Sequence, residues 1–93
     1  MDENNQEILV SLDSEFGLHA RPAALLAREA QKFSSDIWLG FDGREVDAKS
    51  ILDILTLAAP NGSTLRILAR GSDAQDAVRH IRRLIMGRFE EKG

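Results

Sequence analysis

Residues 36–48 read DIWLGFDGREVDA, and this stretch decides the fold. Ile37, Leu39 and Phe41 alternate with Trp38 and Gly40, the period of a strand with one buried face. Asp42-Gly43 follows at once, and this pair tolerates the positive φ angles of a two-residue hairpin turn. REVDA is then the short return strand. Working backward, ILVSL (8–12) alternates with Ile8, Val10 and Leu12 on one side, which reads as a first strand. Between these strands Ala23, Leu26, Ala27, Ala30 and Phe33 form one stripe of a helix over 20–33. Pro22 fits its first turn, where an N–H has no helical partner to lose.

Working forward, SILDILTLA (50–58) predicts a short apolar helix with Ser50 as N-cap and Asp53 three residues on. Pro60-Asn61-Gly62 ends it in a turn. TLRILAR (64–70) is a strand with Leu65, Ile67 and Ala69 inward. Ser72 and Gln75 have the spacing of a capping box for a last helix reaching about Phe89, with Ala74, Ala77, Val78, Ile81, Leu84 and Ile85 buried. The order β-α-β-β-α-β-α predicts an α+β fold: an open-faced sandwich of a four-stranded, mostly antiparallel sheet covered on one face by three helices. A single domain over 7–90 follows an acidic, polar tail over 1–6, expected to be disordered.

Composition narrows the function classes. The chain has 93 residues and no cysteine, which removes disulfides, thiolate catalysis and cysteine-ligated metal. A net charge of −3 argues against nucleic acid as the main partner. Arg79, His80, Arg82, Arg83 and Arg88 read instead as a solvated basic face of the last helix. No apolar run approaches the roughly 20 residues that cross a bilayer, so no membrane insertion and a cytoplasmic location are expected. The two histidines, His19 and His80, are far apart in the pattern and share no acidic cluster, so neither a metal nor a cofactor is expected.

The chemistry concentrates in GLHARPA (17–23). His19 stands at or just before the N-cap of the first helix. The N–H groups of Ala20 and Arg21 there have no helical carbonyl partner, and the helix dipole adds to their pull on an anion. Arg21 brings a permanent cation able to grip two phosphate oxygens. Gly17 allows a close approach without a side chain in the way. An imidazole beside an anion site is a nucleophile placed to accept a phosphoryl group. The same residues also fit a histidine that merely caps a helix.

The string GLHARPA resembles the phosphorylation-site motif of HPr, the histidine-containing phosphocarrier of the bacterial phosphotransferase system. The serine opening the middle helix, its distance from His19 and the final helix also match that layout. The resemblance implies a shuttle without turnover of its own. His19 would accept a phosphoryl group, on Nδ1, from enzyme I charged by phosphoenolpyruvate, and would pass it to an enzyme II A domain. Arg21 would neutralise the phosphate, with the backbone of Ala20 and Arg21 helping to hold it. It further implies an apolar docking patch at Leu52, with Ile51 and Leu55 beside it, and regulation by an HPr kinase/phosphorylase at Ser50. Helix geometry alone would bury Ile51, Ile54, Leu55 and Ala58 and leave Leu52 over.

Three positions depart from sugar-system HPr. Phe16 stands where Asn or Ser is common, Ala58 where Gly is common, and LIMGRFEEKG ends the chain. All three resemble NPr, the paralogue of the nitrogen-related branch, which leaves the branch open. A ferredoxin-like ligand-binding module would share the strand–helix order but has no need of the His-Ala-Arg-Pro run.

Overall fold

Asp42 and Gly43 adopt φ of 54° and 79°, and Phe41 pairs with Arg44 across them, so the central hairpin closes through a two-residue turn. The structure, a computed structural model, describes residues 4–89. It contains β1 (Asn5–Ser11), α1 (Ala20–Ala30), β2 (Asp36–Phe41), β3 (Arg44–Asp47), α2 (Ile51–Leu55), β4 (Thr64–Arg70) and α3 (Ala74–Met86). The strands form one antiparallel sheet in the order β1-β4-β2-β3. Leu65, Ile67 and Ala69 of the central β4 are buried beneath Leu26, Ala27, Ala30, Ile54, Val78, Ile81 and Ile85 of the helices. This is the open-faced sandwich expected from the pattern.

The other face of the sheet lies open. There the Arg66 side chain crosses Gly40, where an added Cβ would lie 2.7 Å from its Nη2. Arg66 reaches Glu7 at 3.4 Å and Glu45 at 3.2 Å. Trp38, half-buried, belongs to this face, opposite Ile37 and Leu39.

Several boundaries move. β1 begins at Asn5, so Asn5 and Gln6 of the expected tail pair with Arg70 and Ala69 of β4. Residues 1–3 and 90–93 lie outside the described residues, and with them half of that tail and the end of the expected domain. Helix α1 stops at Ala30 instead of Phe33. Lys32 and Phe33 donate to carbonyls only three residues back, which tightens the chain out of the helix. Lys49 Nζ then ties the Phe33 carbonyl at 2.8 Å.

The capping box expected at Ser72 and Gln75 does not form. The N-cap of α3 is Asp73, and its carboxylate makes no bond within its own helix. It accepts from the Ser34 and Ser35 amides, both at 2.9 Å, and from both serine hydroxyls. A carboxylate able to satisfy four donors across the fold outcompetes a local serine–glutamine exchange. The Ser35 hydroxyl first, then the Ser34 amide, hold the Asp73 carboxyl down at about 2, against an ordinary 3.8. Gly71 makes the approach possible: its φ is 148°, and a Cβ there would lie 2.5 Å from Ser35 Oγ.

His80 leaves the basic face assigned to it. Its Nε2 lies 2.7 Å from Oε1 of Glu29, a buried carboxylate that α1 and α3 enclose together. Lys32 reaches the second oxygen at 2.8 Å. The Lys32 hydrogen bond, followed by that of His80, outweighs burial and lowers the Glu29 carboxyl below its usual range.

Candidate functional site

The loop from β1 into α1 is shaped by the loop from α2 into β4. Gly17 has φ of 70°, and a Cβ on it would lie 2.5 Å from the Ala59 carbonyl oxygen. That same oxygen accepts from the Leu18 amide at 3.0 Å. The Ser14 hydroxyl donates to the Gly17 carbonyl at 2.9 Å, and the Ser14 amide donates to Asn61 Oδ1 at 3.1 Å. Leu18 is buried, which pins the chain one residue before the histidine. The supporting loop is itself bent hard, since Ala58 takes φ of 50° without being glycine. Close backbone contact here requires Gly17, as its place in the sequence implied.

His19 is the N-cap of α1, with extended backbone (φ −93°, ψ −172°) and no side-chain cap bond. The first helical bond runs from the Ala23 amide to the His19 carbonyl at 3.0 Å. The amides of Ala20 and Arg21 precede that bond, and Pro22 has none to offer. The imidazole is exposed, and its ring meets Phe16 edge-on, with centroids 5.9 Å apart and planes at 81°. Phe16 is 75% exposed, so the pair stands on the surface. Arg21 is also exposed and has no ion pair among the described residues. His19, Arg21 and Phe16 line one open depression with Asp13, Ser14, Glu15 and Arg88.

That depression adds Arg88 to the site. Arg88 does not sit on α3, which ends at Met86; it occupies the turn beyond, with φ of 59°. Its Nε lies 3.6 Å from Oδ2 of Asp13, on the rim facing His19. The signal in the sequence was Gly87, the helix-ending residue just before it. The patterning had continued the helix through it.

Ser50 is the N-cap of α2, and its hydroxyl accepts from the Asp53 amide at 3.2 Å. Leu52 is 76% exposed and Leu55 half-buried. Ile51 and Ala58, assigned to the buried face, are exposed; Ile54 and Leu57 take the core places. The reason is the length of α2. Five residues cannot carry a stripe from 51 to 58, and the turn after Leu55 rotates Leu57 inward.

Over residues 6–86 the chain matches the family described as the PTS HPr component phosphorylation site. It belongs to that family.

As an HPr-family phosphocarrier it is similar to the HPr-like protein Crh of Halalkalibacterium halodurans, with 44% identity over 69 residues covering 74% of this chain and 82% of that protein. Its fold superimposes on the HPr-C-His crystal structure from Thermoanaerobacter tengcongensis with a TM-score of 0.88 at 39% identity, covering 95% and 99% of the two chains. The phosphocarrier protein HPr of Bacillus anthracis gives a TM-score of 0.83 at 40% identity, covering 87% of this chain and 96% of that one. Among the described residues no helix is long and apolar enough to cross a membrane.

Proposed function

We propose that this HPr-family chain takes a phosphoryl group from phosphorylated enzyme I on His19 and delivers it to an enzyme II A domain. The observation that carries this reading is the state of the α1 start. The N-cap imidazole makes no side-chain cap bond, and beside it stand an arginine without an ion pair among the described residues and first-turn amides that precede the first helical bond. In the transfer, an imidazole nitrogen lone pair attacks phosphorus, the N–P bond forms, and the bond from phosphorus to enzyme I breaks. Arg21 and the amides of Ala20 and Arg21 then meet the phosphoryl oxygens.

A carrier must release what it accepts, and an open site with few donors fits that need better than a closed pocket. Partners supply the remaining stabilisation through docking at Leu52 and Ile51, with Leu55 at the edge. The hydroxyl of Ser50 already serves as a cap. A phosphoryl group placed there by an HPr kinase/phosphorylase would add about −1.5 to −2 charges beside this patch and weaken docking.

A second reading, the nitrogen-related branch, draws support from Phe16 against the His19 ring and from Ala58 at positive φ. Other residues are common at both positions in sugar-system HPr. One experiment addresses both readings: phosphoenolpyruvate with enzyme I from each branch, read by intact mass. A gain of one acid-labile phosphate, absent in His19→Ala, is expected, and the faster enzyme I names the branch. Uptake by His19→Ala at the wild-type rate would overturn the acceptor assignment. Leu52→Glu is expected to weaken enzyme I binding roughly tenfold, and unchanged affinity would remove the docking patch.

A further inference from the structure

We infer that Arg88 is a second phosphate-binding cation of the His19 site, held on Asp13 while the histidine is bare and exchanged onto the phosphoryl group once it is loaded. The inference rests on the carrier reading of His19 and adds a residue that neither the motif nor the family layout supplied. Arg21 approaches the depression from α1, and Arg88 approaches it from the chain beyond α3. A phosphoryl group on the ring would therefore stand between two guanidinium groups carried by different elements.

The backbone of Arg88 is fixed and its side chain is free to move. Three hydrogen bonds hold the turn: Gly87 to the Arg83 carbonyl at 2.9 Å, Arg88 to Ile85 at 3.0 Å and Phe89 to Leu84 at 2.9 Å. Phe89 is buried, so the turn is pinned into the core on the far side of Arg88. Arg88 and Phe89 both take left-handed φ, 59° and 60°, a conformation non-glycine residues adopt only when their surroundings impose it. The Arg88 and Asp13 side chains, by contrast, are 60% and 66% exposed, and their contact at 3.6 Å is single and long. Water screens such a pair, so it parts easily.

Asp13 has two consequences for the empty carrier. It occupies Arg88, which keeps the bare site from gathering free anions with two cations at once. It also places a carboxylate on the rim, whose repulsion of the phosphoryl group the new Arg88–phosphoryl contact has to exceed. A phosphoryl group carries more negative charge than a carboxylate and offers three oxygens, so Arg88 gains by changing partners. Loading and charge exchange are thereby coupled, and the same exchange runs backward when the phosphate leaves.

Phosphoramidate loads imidazoles without any protein partner, so it tests this inference separately from enzyme I recognition; fragmentation mass spectrometry assigns the phosphate to His19. On loading, the Arg88 Nε–Hε resonance should shift. The 31P titration midpoint of the phosphoryl group should rise by about half a unit in Arg88→Ala, since removing a cation disfavours the dianion. Asp13→Asn should move it the opposite way, and Arg88→Lys should stay near wild type. A loss of folding alone cannot produce opposite shifts in two exposed substitutions. An Arg88 resonance unmoved by loading, with Arg88→Ala titrating as wild type, would overturn the inference and leave the carrier reading standing. Loss of enzyme I transfer with these shifts intact would overturn the carrier reading alone. An imidazole at 19 that phosphoramidate cannot load would remove both.

Discussion

Helices α1 and α3 begin in opposite ways. At α3 the N-cap Asp73 accepts from four donors on Ser34 and Ser35 and locks the α1–β2 turn to the helix start. At α1 the N-cap is a histidine with no cap bond, beside an arginine with no ion pair among the described residues. Both starts present unsatisfied amides and a positive dipole end. One spends its polar groups on cohesion, and the other leaves them exposed, as the proposed phosphoryl site requires. The backbone under the open start also holds a left-handed non-glycine residue, Ala58 at φ 50°. The fold thus holds the histidine rigidly in place through its backbone while asking nothing of its side chain.

The sharpest way to break this contrast is Gly17→Ala. A Cβ would collide with the Ala59 carbonyl and demand a left-handed alanine, so a loss of about 2–4 kcal/mol in urea unfolding is expected. Phosphate uptake should fall with it, because the two loops would separate. A variant of wild-type stability would mean that the loops do not depend on one another.

The α3 start is tested by Asp73→Ala, which strands two serine amides and should cost about 1–3 kcal/mol. Its pH signature is specific. The folded carboxyl sits near 2 and the ordinary value is 3.8, so the Asp73 contribution is complete above that ordinary value and drains away as pH falls through the interval. Acid unfolding of wild type should steepen there, and Asp73→Asn should remove that part of the slope. Phosphate uptake at neutral pH should be untouched by Asp73→Asn.

His19→Ser sharpens the comparison by giving α1 the cap it lacks. Stability should rise by about 0.5–1 kcal/mol while phosphate uptake disappears, a trade that thermal unfolding and intact mass read together. The smallest effect is expected from Ala58→Gly. Relief of the left-handed alanine, offset by glycine's greater unfolded-state freedom, should raise stability by about 0.5 kcal/mol. Uptake should be unchanged, and a fall in rate would show that the bend at Ala58 tunes the histidine.

Much of this molecule was legible in its sequence. The hairpin at Asp42-Gly43, the buried alternation of β4 and the α1 stripe through Ala30 are local patterns, and local patterns survive into the fold because burial rewards them directly. The place of His19 and Arg21 at the start of α1 was legible for a related reason: helix starts are set by short-range residues, and GLHARPA contains them. Where the reading failed, a distant partner had intervened. Ser72 and Gln75 had the right spacing for a capping box, but Asp73 found better donors on Ser34 and Ser35, 39 and 38 residues away. His80 had the pattern of a solvated basic face, but it meets the buried Glu29 across 51 residues.

The sequence by itself determined the order of elements, the antiparallel hairpin and the placing of His19 at the start of α1, since each depends on residues within a turn or two of one another. Only the tertiary structure decided what stands around that start. The Ala59 carbonyl under Gly17, Phe16 against the imidazole, and Arg88 lining the same depression as Arg21 are matters of packing. Asp13 and Arg88 are 75 residues apart, with three of the four strands between them in the chain, and no periodicity reports that the last turn folds back beside the first loop. Burial of Phe89 brings it there, and burial belongs to the folded chain as a whole.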